Sequence, residues 1–151
     1  MSEKTLSGQT GRCMCGAVSF TADEVPTKFG VCHCEMCRRW AGSALLGVSI
    51  PEDKIVWSGQ ESIARLQSSH WAERGWCNKC GTGLFFRVTM ESKYSGSFEL
   101  PIGLFDNADA FEMTREIFID QKPHSFAYAG TGRDVMTRQQ CVEKFDVLDD
   151  K

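Results

Sequence analysis

The chain has 151 residues, of which 42% are hydrophobic and 25% are charged, and its formal net charge is −3 at pH 7. This length and composition are typical of one soluble globular domain, here taken as residues 1–151, and the mildly acidic balance argues against nucleic-acid or membrane partners. No segment is apolar for long enough to cross a bilayer, and the N-terminus lacks the apolar stretch of a secretory signal, so we expect a cytoplasmic protein.

Short β-strands separated by turn residues are predicted along most of the chain, because β-branched and aromatic residues dominate its apolar runs. The predicted strands are Ala17–Ala22, Lys28–Val31, Leu45–Ile50, Lys54–Trp57, Ile63–Leu66, Leu84–Val88, Phe98–Ile102 and Glu116–Ile119. Helix is predicted only for Glu35–Trp40 and Val135–Lys144, and residues 148–151 are expected to fray. The sequence therefore predicts a mainly β fold with little helix.

Seven of the eight cysteines fall into three close groups. The groups are Cys13-Met-Cys15, Cys32-His-Cys34-Glu-Met-Cys37 and Cys77-Asn-Lys-Cys80. In a reducing compartment, cysteines spaced in this way are more often metal ligands or redox groups than structural disulfides. Thiolates are soft ligands, and these spacings favour zinc.

Two of the groups suit one closed zinc site. Cys77 and Cys80 have the spacing of a zinc knuckle, and the following Gly81 relieves crowding where backbone amides approach a sulfur. Cys13 and Cys15 point to the same side of an extended strand, so both sulfurs can reach one ion. Four thiolates would form a structural site that joins distant parts of the chain. A thioredoxin-type redox pair is the alternative for the CxxC group, but its flanks are strand-like rather than βαβ.

The middle cysteine group would leave one coordination position of a bound metal ion without a cysteine ligand. Cys32, Cys34 and Cys37 can supply three ligands of a tetrahedral zinc, and water or an incoming thiolate can take the fourth position. The alternative is a second structural site closed by another side chain of this chain. The residues that could close it are His33, Glu35, His70 and Cys141. His33 is expected to point away from the ion because it lies between two ligands, and Cys141 is expected to be a reduced thiol without metal.

Three thiolates change what zinc can do. They leave the site with a net negative charge, which weakens the Lewis acidity that neutral histidine ligands would preserve. Such a site suits a soft ligand such as a substrate thiol, which loses its proton on coordination near neutral pH. The addition of that sulfur to an aldehyde, or the reverse cleavage, is the chemistry that this ligand count favours.

The order CxCG, CHCxxCRRWxGS and CxxCGTxLFF resembles the glutathione-dependent formaldehyde-activating enzyme family, which also includes centromere protein V-type domains. The resemblance runs from about Gly11 to Tyr128 and leaves a C-terminal extension of about residues 133–151. It implies a compact fold of antiparallel sheets, of the β-tent type, organised around two zinc ions. The implied structural ligands are Cys13, Cys15, Cys77 and Cys80, and the implied catalytic ligands are Cys32, Cys34 and Cys37. Glu116 stands where the family often has a histidine.

The resemblance also implies an activity and its partners. The family's named reaction joins glutathione to formaldehyde, giving S-hydroxymethylglutathione, and is classed as a carbon–sulfur lyase reaction. Arg39 could bind a carboxylate of such a thiol through bidentate hydrogen bonds, and the turn at Gly42 could offer backbone amides. A solvated arginine and a plain turn are the alternatives. His33 and Glu35 are the nearest candidates for a general acid or base.

The preferred prediction is a zinc-dependent carbon–sulfur lyase that adds glutathione or a similar thiol to a small aldehyde, without nucleic-acid or membrane partners. A non-catalytic, zinc-stabilised binding module is an alternative from a different functional class. A redox switch is a third, in which the middle cysteine group oxidises and releases zinc. The sequence leaves the choice of thiol and the oligomeric state open.

Overall fold

A computed structural model describes residues 4–145, which form mainly β structure. The strands are β1 Thr5–Leu6, β2 Gln9–Arg12, β3 Ser19–Ala22, β4 Val25–Pro26, β5 Lys28–Cys32, β6 Leu45–Pro51, β7 Ile55–Ser58, β8 Ile63–Gln67, β9 Ala72–Cys77, β10 Gly83–Val88, β11 Ser97–Pro101, β12 Glu112–Ile117 and β13 Asp134–Val135. The α-helices are α1 Glu35–Ala41 and α2 Arg138–Lys144. The predicted fraying of residues 148–151 lies outside the described residues.

Eight strands form one large sheet in the order β13-β12-β5-β6-β11-β10-β9-β8. Its pairings are antiparallel except those of β12 with β5 and β13, which are parallel. A three-stranded antiparallel sheet, β2-β3-β7, and the short pair β1-β4 complete the β structure of residues 4–145. The predicted mainly β fold, with antiparallel pairing and little helix, is confirmed.

The central strands of the large sheet have two different faces, because side chains alternate along a strand. On one face the side chains are buried in the hydrophobic core. The core residues of these strands include Phe29, Val31, Val48, Ile50, Phe98 and Leu100. The opposite face of the same strands borders a cavity. Its residues are Gly30 and Cys32 on β5, Leu45, Gly47 and Ser49 on β6, and Ser97 and Glu99 on β11.

Aromatic rings join the two larger sheets. Trp57 of the three-stranded sheet meets Phe98 of the large sheet edge to face, with ring centroids 5.7 Å apart, and lies 5.9 Å from Phe85. Phe85 and Phe98 are themselves in edge-to-face contact at 4.8 Å. Each edge-to-face pair is worth about 0.5–1.5 kcal/mol beyond the burial of its area. This cluster therefore holds the core face of the large sheet against its neighbour.

The structure differs from the sequence prediction at β2 and β9, neither of which was expected, and Met14 and Cys15 lie in a turn rather than in the predicted extended strand. Alternation of polar and apolar residues is absent in β9 because buried residues occur on both faces, including Ala72, Arg74 and Gly75. β12 also begins earlier than predicted, at Glu112. Parallel pairing with β5 extends it into a polar segment that lacks a strand signal of its own.

The C-terminal helix also begins later than predicted. The Thr137 hydroxyl oxygen accepts a hydrogen bond from the Gln140 N–H, and the Thr137 N–H donates one to Oε1 of Gln140, which makes a capping box before Arg138. Val135 instead pairs in the short strand β13. Neither α1 nor α2, the α-helices of residues 4–145, is long and apolar enough to span a membrane.

We expect Gly75→Ala to lower the free energy of unfolding by about 1–3 kcal/mol, because added methyl groups overfill a packed core. A Cβ at Gly75 would overlap the ring of Phe85, which is fully buried against Trp57 and Phe98. Urea denaturation measures the change. Gly103→Ala is the matched control, because no atom lies within 4 Å of its added Cβ. Equal losses in the two variants would show that the Phe85 contact is not responsible.

Candidate metal centres

The first cysteine group brings four sulfurs together. The Sγ atoms of Cys13, Cys15, Cys77 and Cys80 all lie within 4.8 Å of one another. Cys15 Sγ is 3.7 Å from Cys13 Sγ and 3.8 Å from Cys77 Sγ. In a tetrahedral zinc site with Zn–S bonds of about 2.3 Å, neighbouring sulfurs are about 3.8 Å apart. The spacing of these sulfurs therefore fits zinc.

Backbone turns hold this first group. Cys77 ends β9, its N–H donates to the Thr82 carbonyl at 2.9 Å, and its carbonyl accepts from Gly81 N–H at 2.9 Å. Gly81 has φ of 81°, a left-handed conformation that glycine adopts without strain. The Thr82 hydroxyl lies 3.1 Å from Cys80 Sγ and, together with the Thr82 backbone, lowers the pKa of Cys80 to about 5. A lowered thiol pKa favours the thiolate form that binds metal.

The second group has three sulfurs, which we call the cysteine trio. Cys32 ends β5, Cys34 is the N-cap of α1, and Cys37 lies in its first turn. Their Sγ atoms lie within 4.8 Å of one another, and the Cys37 N–H donates to Cys34 Sγ at 3.4 Å. Within residues 4–145, no further cysteine, histidine, aspartate or glutamate joins the trio. Its donor set is therefore three soft sulfurs without a fourth protein ligand among the described residues.

Hydrogen bonds within the trio distribute its charge unequally. Those from Cys32 and Cys37 lower the pKa of Cys34 to about 3, with a further contribution from the positive charge of Arg74. The same hydrogen bonding to Cys34 raises the pKa of Cys32 well above its usual value. Cys34 therefore carries the first negative charge of the trio, and this thiolate form is the one that can bind a metal.

Arg74 is a residue that the sequence analysis missed. It is only 5% exposed, and both terminal nitrogens of its guanidinium lie 3.7 Å from Cys37 Sγ. The rings of Trp40 and Phe86 each have their centroids 5.0 Å from its guanidinium carbon. Arg74 makes no ion pair with a carboxylate of residues 4–145. A buried cation requires a compensating charge, and the Cys34 thiolate supplies it.

His33, which lies between two cysteines of the trio, faces the other way. It is 1% exposed, and its Nε2 lies 2.8 Å from Oε1 of Glu116. Glu116 Oε2 accepts hydrogen bonds from Arg133 at 3.0 and 3.2 Å. Although burial opposes the change, His33 and Arg133 together lower the pKa of Glu116. The contacts of His33, Glu116 and Arg133 therefore hold the backbone of residues 32–37 in place on the side facing away from the cysteine trio.

The other predicted residues lie apart from the trio or at its edge. The Arg39 side chain is 68% exposed and pairs with Glu35 at 3.0 Å, one helical turn away. Gly42 ends α1 with φ of 80°. Neither Arg39 nor Gly42 lines the cavity beside the trio, so their role in substrate binding stays a prediction without a supporting contact. Glu35 does line the cavity, His70 is exposed, and Cys141 is buried in α2 away from both cysteine groups.

The cavity has a volume of about 610 Å³ and lies on the face of the large sheet opposite the core. All three cysteines of the trio line it. Its other walls come from β10, β12, α2 with its C-cap, and the segments before β9 and β11, including Trp71, Phe86, Tyr94, Arg138 and Phe145. This volume and mixed lining suit a small organic molecule with a few charged groups.

We expect Arg74→Met to raise the pKa of Cys34, because the variant loses a cation that stabilises the thiolate. The measurement is the pH dependence of iodoacetamide alkylation at Cys34, mapped by peptide mass spectrometry after mild chelation. Arg65→Met is the control, because Arg65 also stacks on a ring but pairs with Glu73. An unchanged pH profile in Arg74→Met would contradict the assignment.

Comparison with known proteins places this arrangement in a family. Residues 8–121 match the sequence profile of the glutathione-dependent formaldehyde-activating enzyme. An uncharacterized lyase of Schizosaccharomyces pombe is 31% identical over 119 residues, which are 79% of this chain and 84% of the relative. A crystal structure of a Rhodobacter sphaeroides protein has the same fold, with a TM-score of 0.54 at 16% identity over 85% of this chain and 99% of that chain. The chain therefore belongs to the glutathione-dependent formaldehyde-activating enzyme family, as the cysteine pattern predicted.

Proposed function

We propose that this protein is a zinc-dependent carbon–sulfur lyase of the formaldehyde-activating type, which joins glutathione or a similar thiol to a small aldehyde. The observation that carries the proposal is the cysteine trio in the cavity wall, with no fourth protein ligand among residues 4–145. Membership of the family and the name of the lyase relative support the class of reaction.

Two zinc ions per chain are part of the proposal, and the donor sets fit them. Cys13, Cys15, Cys77 and Cys80 would hold a structural ion, and Cys32, Cys34 and Cys37 would hold the catalytic one. Zinc held by Cys32, Cys34 and Cys37 would supply an open coordination position that favours the thiolate form of a substrate thiol near neutral pH.

The chain's own residues then orient the reactants and control charge. Arg74 balances the negative charge of the trio and fixes the position of Cys37. The rings of Trp71 and Phe86 shield part of the cavity from water. The new bond joins the thiol sulfur to the carbonyl carbon of the aldehyde as the π bond of the carbonyl opens, and the carbonyl oxygen takes up the proton that the thiol releases. Glu35 is the better candidate to accept that proton from the thiol and pass it to the oxygen, since it lines the cavity while His33 is turned toward Glu116.

We also propose that the partners are small molecules rather than nucleic acid or membrane, and that the protein works in the cytoplasm. The net charge of −3 supports the first statement. All eight cysteines lie within the described residues and none of them forms a disulfide, which supports a reducing compartment.

Cys34→Ser should release one of two zinc ions and abolish adduct formation while the protein stays folded, because Cys34 belongs to the trio and not to the structural group. Metal analysis gives the zinc content, and exchange NMR of glutathione and formaldehyde gives the enzymatic rate above the spontaneous one. Cys141→Ser is the control, since Cys141 joins neither group, and it should keep both ions and the rate.

Two results would count against a lyase. Full turnover by Cys34→Ser would mean that the trio does not hold a catalytic ion. Saturable binding of glutathione by the wild-type protein without any acceleration would instead favour the zinc-stabilised binding module.

A further inference from the structure

Two glycines face each other in the cavity wall. Gly30 on β5 pairs with Gly47 on β6, and the pair lies two residues from the pair of Cys32 with Leu45. Neither glycine has a positive φ, so the backbone conformation does not require glycine at these positions. Glycine in a strand often marks a place where a ligand approaches the backbone closely. We call this pair the glycine strip, because neither residue places a side chain of its own on the cavity face of the sheet.

Opposite charges lie over the glycine strip from the two flanking strands. Arg115 on β12 pairs with Gly30, and its Nε lies 2.7 Å from the position that a Cβ on Gly30 would occupy. Glu99 on β11 places Oε2 3.7 Å from the corresponding position on Gly47. Since paired residues of antiparallel strands are about 5 Å apart, the guanidinium and the carboxylate are neighbours in the cavity.

Glu99 and Arg115 form neither a hydrogen bond nor an ion pair with each other. Glu99 Oε1 accepts a hydrogen bond from the Ser49 hydroxyl, while Oε2 has no donor within residues 4–145. Over the same part of the chain, Arg115 makes neither a hydrogen bond nor an ion pair, although its charge is close enough to act on Glu99. Burial raises the pKa of Glu99, with Ser49 and Arg115 opposing the change. A carboxylate and a guanidinium held close together but not bonded provide complementary partners for a zwitterion.

We propose that the glycine strip, with Arg115 and Glu99, binds the α-amino-acid head group of the thiol substrate. The head group's carboxylate would pair with Arg115, and its ammonium would pair with Glu99. This inference rests on the proposed function, because that function places the sulfur of the thiol at the trio. It goes further by naming the residues that select the thiol.

The distance between the two sites restricts the thiol further. Two residues along a strand separate the row of Cys32 from the glycine strip, which is about 7 Å. In free cysteine the sulfur is too close to its own amino and carboxylate groups to span this distance, whereas a γ-linked glutamyl residue, about as long as two residues of chain, can do so. Arg138 and Lys93 also line the cavity, and neither forms an ion pair within the described part of the chain. Their charge suits a second carboxylate on the same ligand.

The test compares three thiols that differ by one group. Glutathione has the complete head group, glutaryl-cysteinylglycine lacks only its ammonium, and γ-aminobutyryl-cysteinylglycine lacks only its carboxylate. Calorimetry with the zinc-loaded wild-type protein should show that each analogue binds at least about tenfold more weakly than glutathione, the effect of one charge-assisted hydrogen bond.

Each variant should abolish the preference for one charged group of the glutathione head group, either the ammonium or the carboxylate. Glu99→Gln should bind glutathione and the glutaryl analogue about equally, because only the ammonium contact is lost. Arg115→Met should likewise bind glutathione and the aminobutyryl analogue about equally. Glu73→Gln is the matched control, because Glu73 lies on β9 in an ion pair with Arg65 and does not line the cavity. It should keep the wild-type preferences.

Gly47→Ala tests the glycine strip without removing a charge. The nearest atoms would lie 3.7–3.8 Å from its Cβ, so the protein can accommodate the methyl group. The methyl would nevertheless occupy the strip, and glutathione should bind at least about tenfold more weakly while both zinc ions are retained. If Glu99→Gln fails to fold, the glutathione affinity of Gly47→Ala is the measurement that tests the inference.

The outcomes separate this inference from the proposed function. Equal binding of the three thiols to the wild-type protein would overturn the inference and leave the lyase proposal intact. The same conclusion would follow if Glu99→Gln weakened all three thiols equally. No binding of any thiol to the zinc-loaded protein would overturn the proposed function, and the inference with it.

Discussion

Repulsion between thiolates is the constraint on which this structure depends. Seven sulfurs lie in two groups, and within each group they are no more than 4.8 Å apart. Ionised sulfurs at this distance repel one another strongly in a partly buried setting, so each group needs a compensating cation. The first cysteine group joins the segment before β3 to the end of β9, so an ion bound there would contribute directly to folding.

The trio differs because the protein supplies part of its compensating charge. Arg74 contributes one permanent positive charge beside Cys37, and Trp40 and Phe86 hold its guanidinium from two sides. An arginine held in this way cannot swing into solvent when the charge of the trio changes. Such support allows a site with only three ligands to keep its shape while its open side faces a cavity.

The large sheet serves both as core and as binding surface. The alternation of side chains places Val31 and Val48 in the core and Cys32 and Gly47 in the cavity wall, on the same two strands. Aromatic rings pack against the core face and hold the backbone of these strands rigid. The cavity face is formed by the same backbone, so it is rigid as well. The segment beyond the family match adds to this frame, since Arg133 reaches Glu116 behind the trio and Arg138 lines the cavity.

The sequence by itself determined the mainly β fold and the grouping of the cysteines, because strand alternation and ligand spacing are local patterns. Only the tertiary structure decided which charged side chains meet the cysteines. Arg39 is close to Cys37 in sequence but points into solvent, whereas Arg74, 37 residues away, contacts its sulfur. Arg115, Glu99 and the paired glycines likewise come together only through the register of four strands, and that register arises from long-range pairing that no short stretch of sequence encodes.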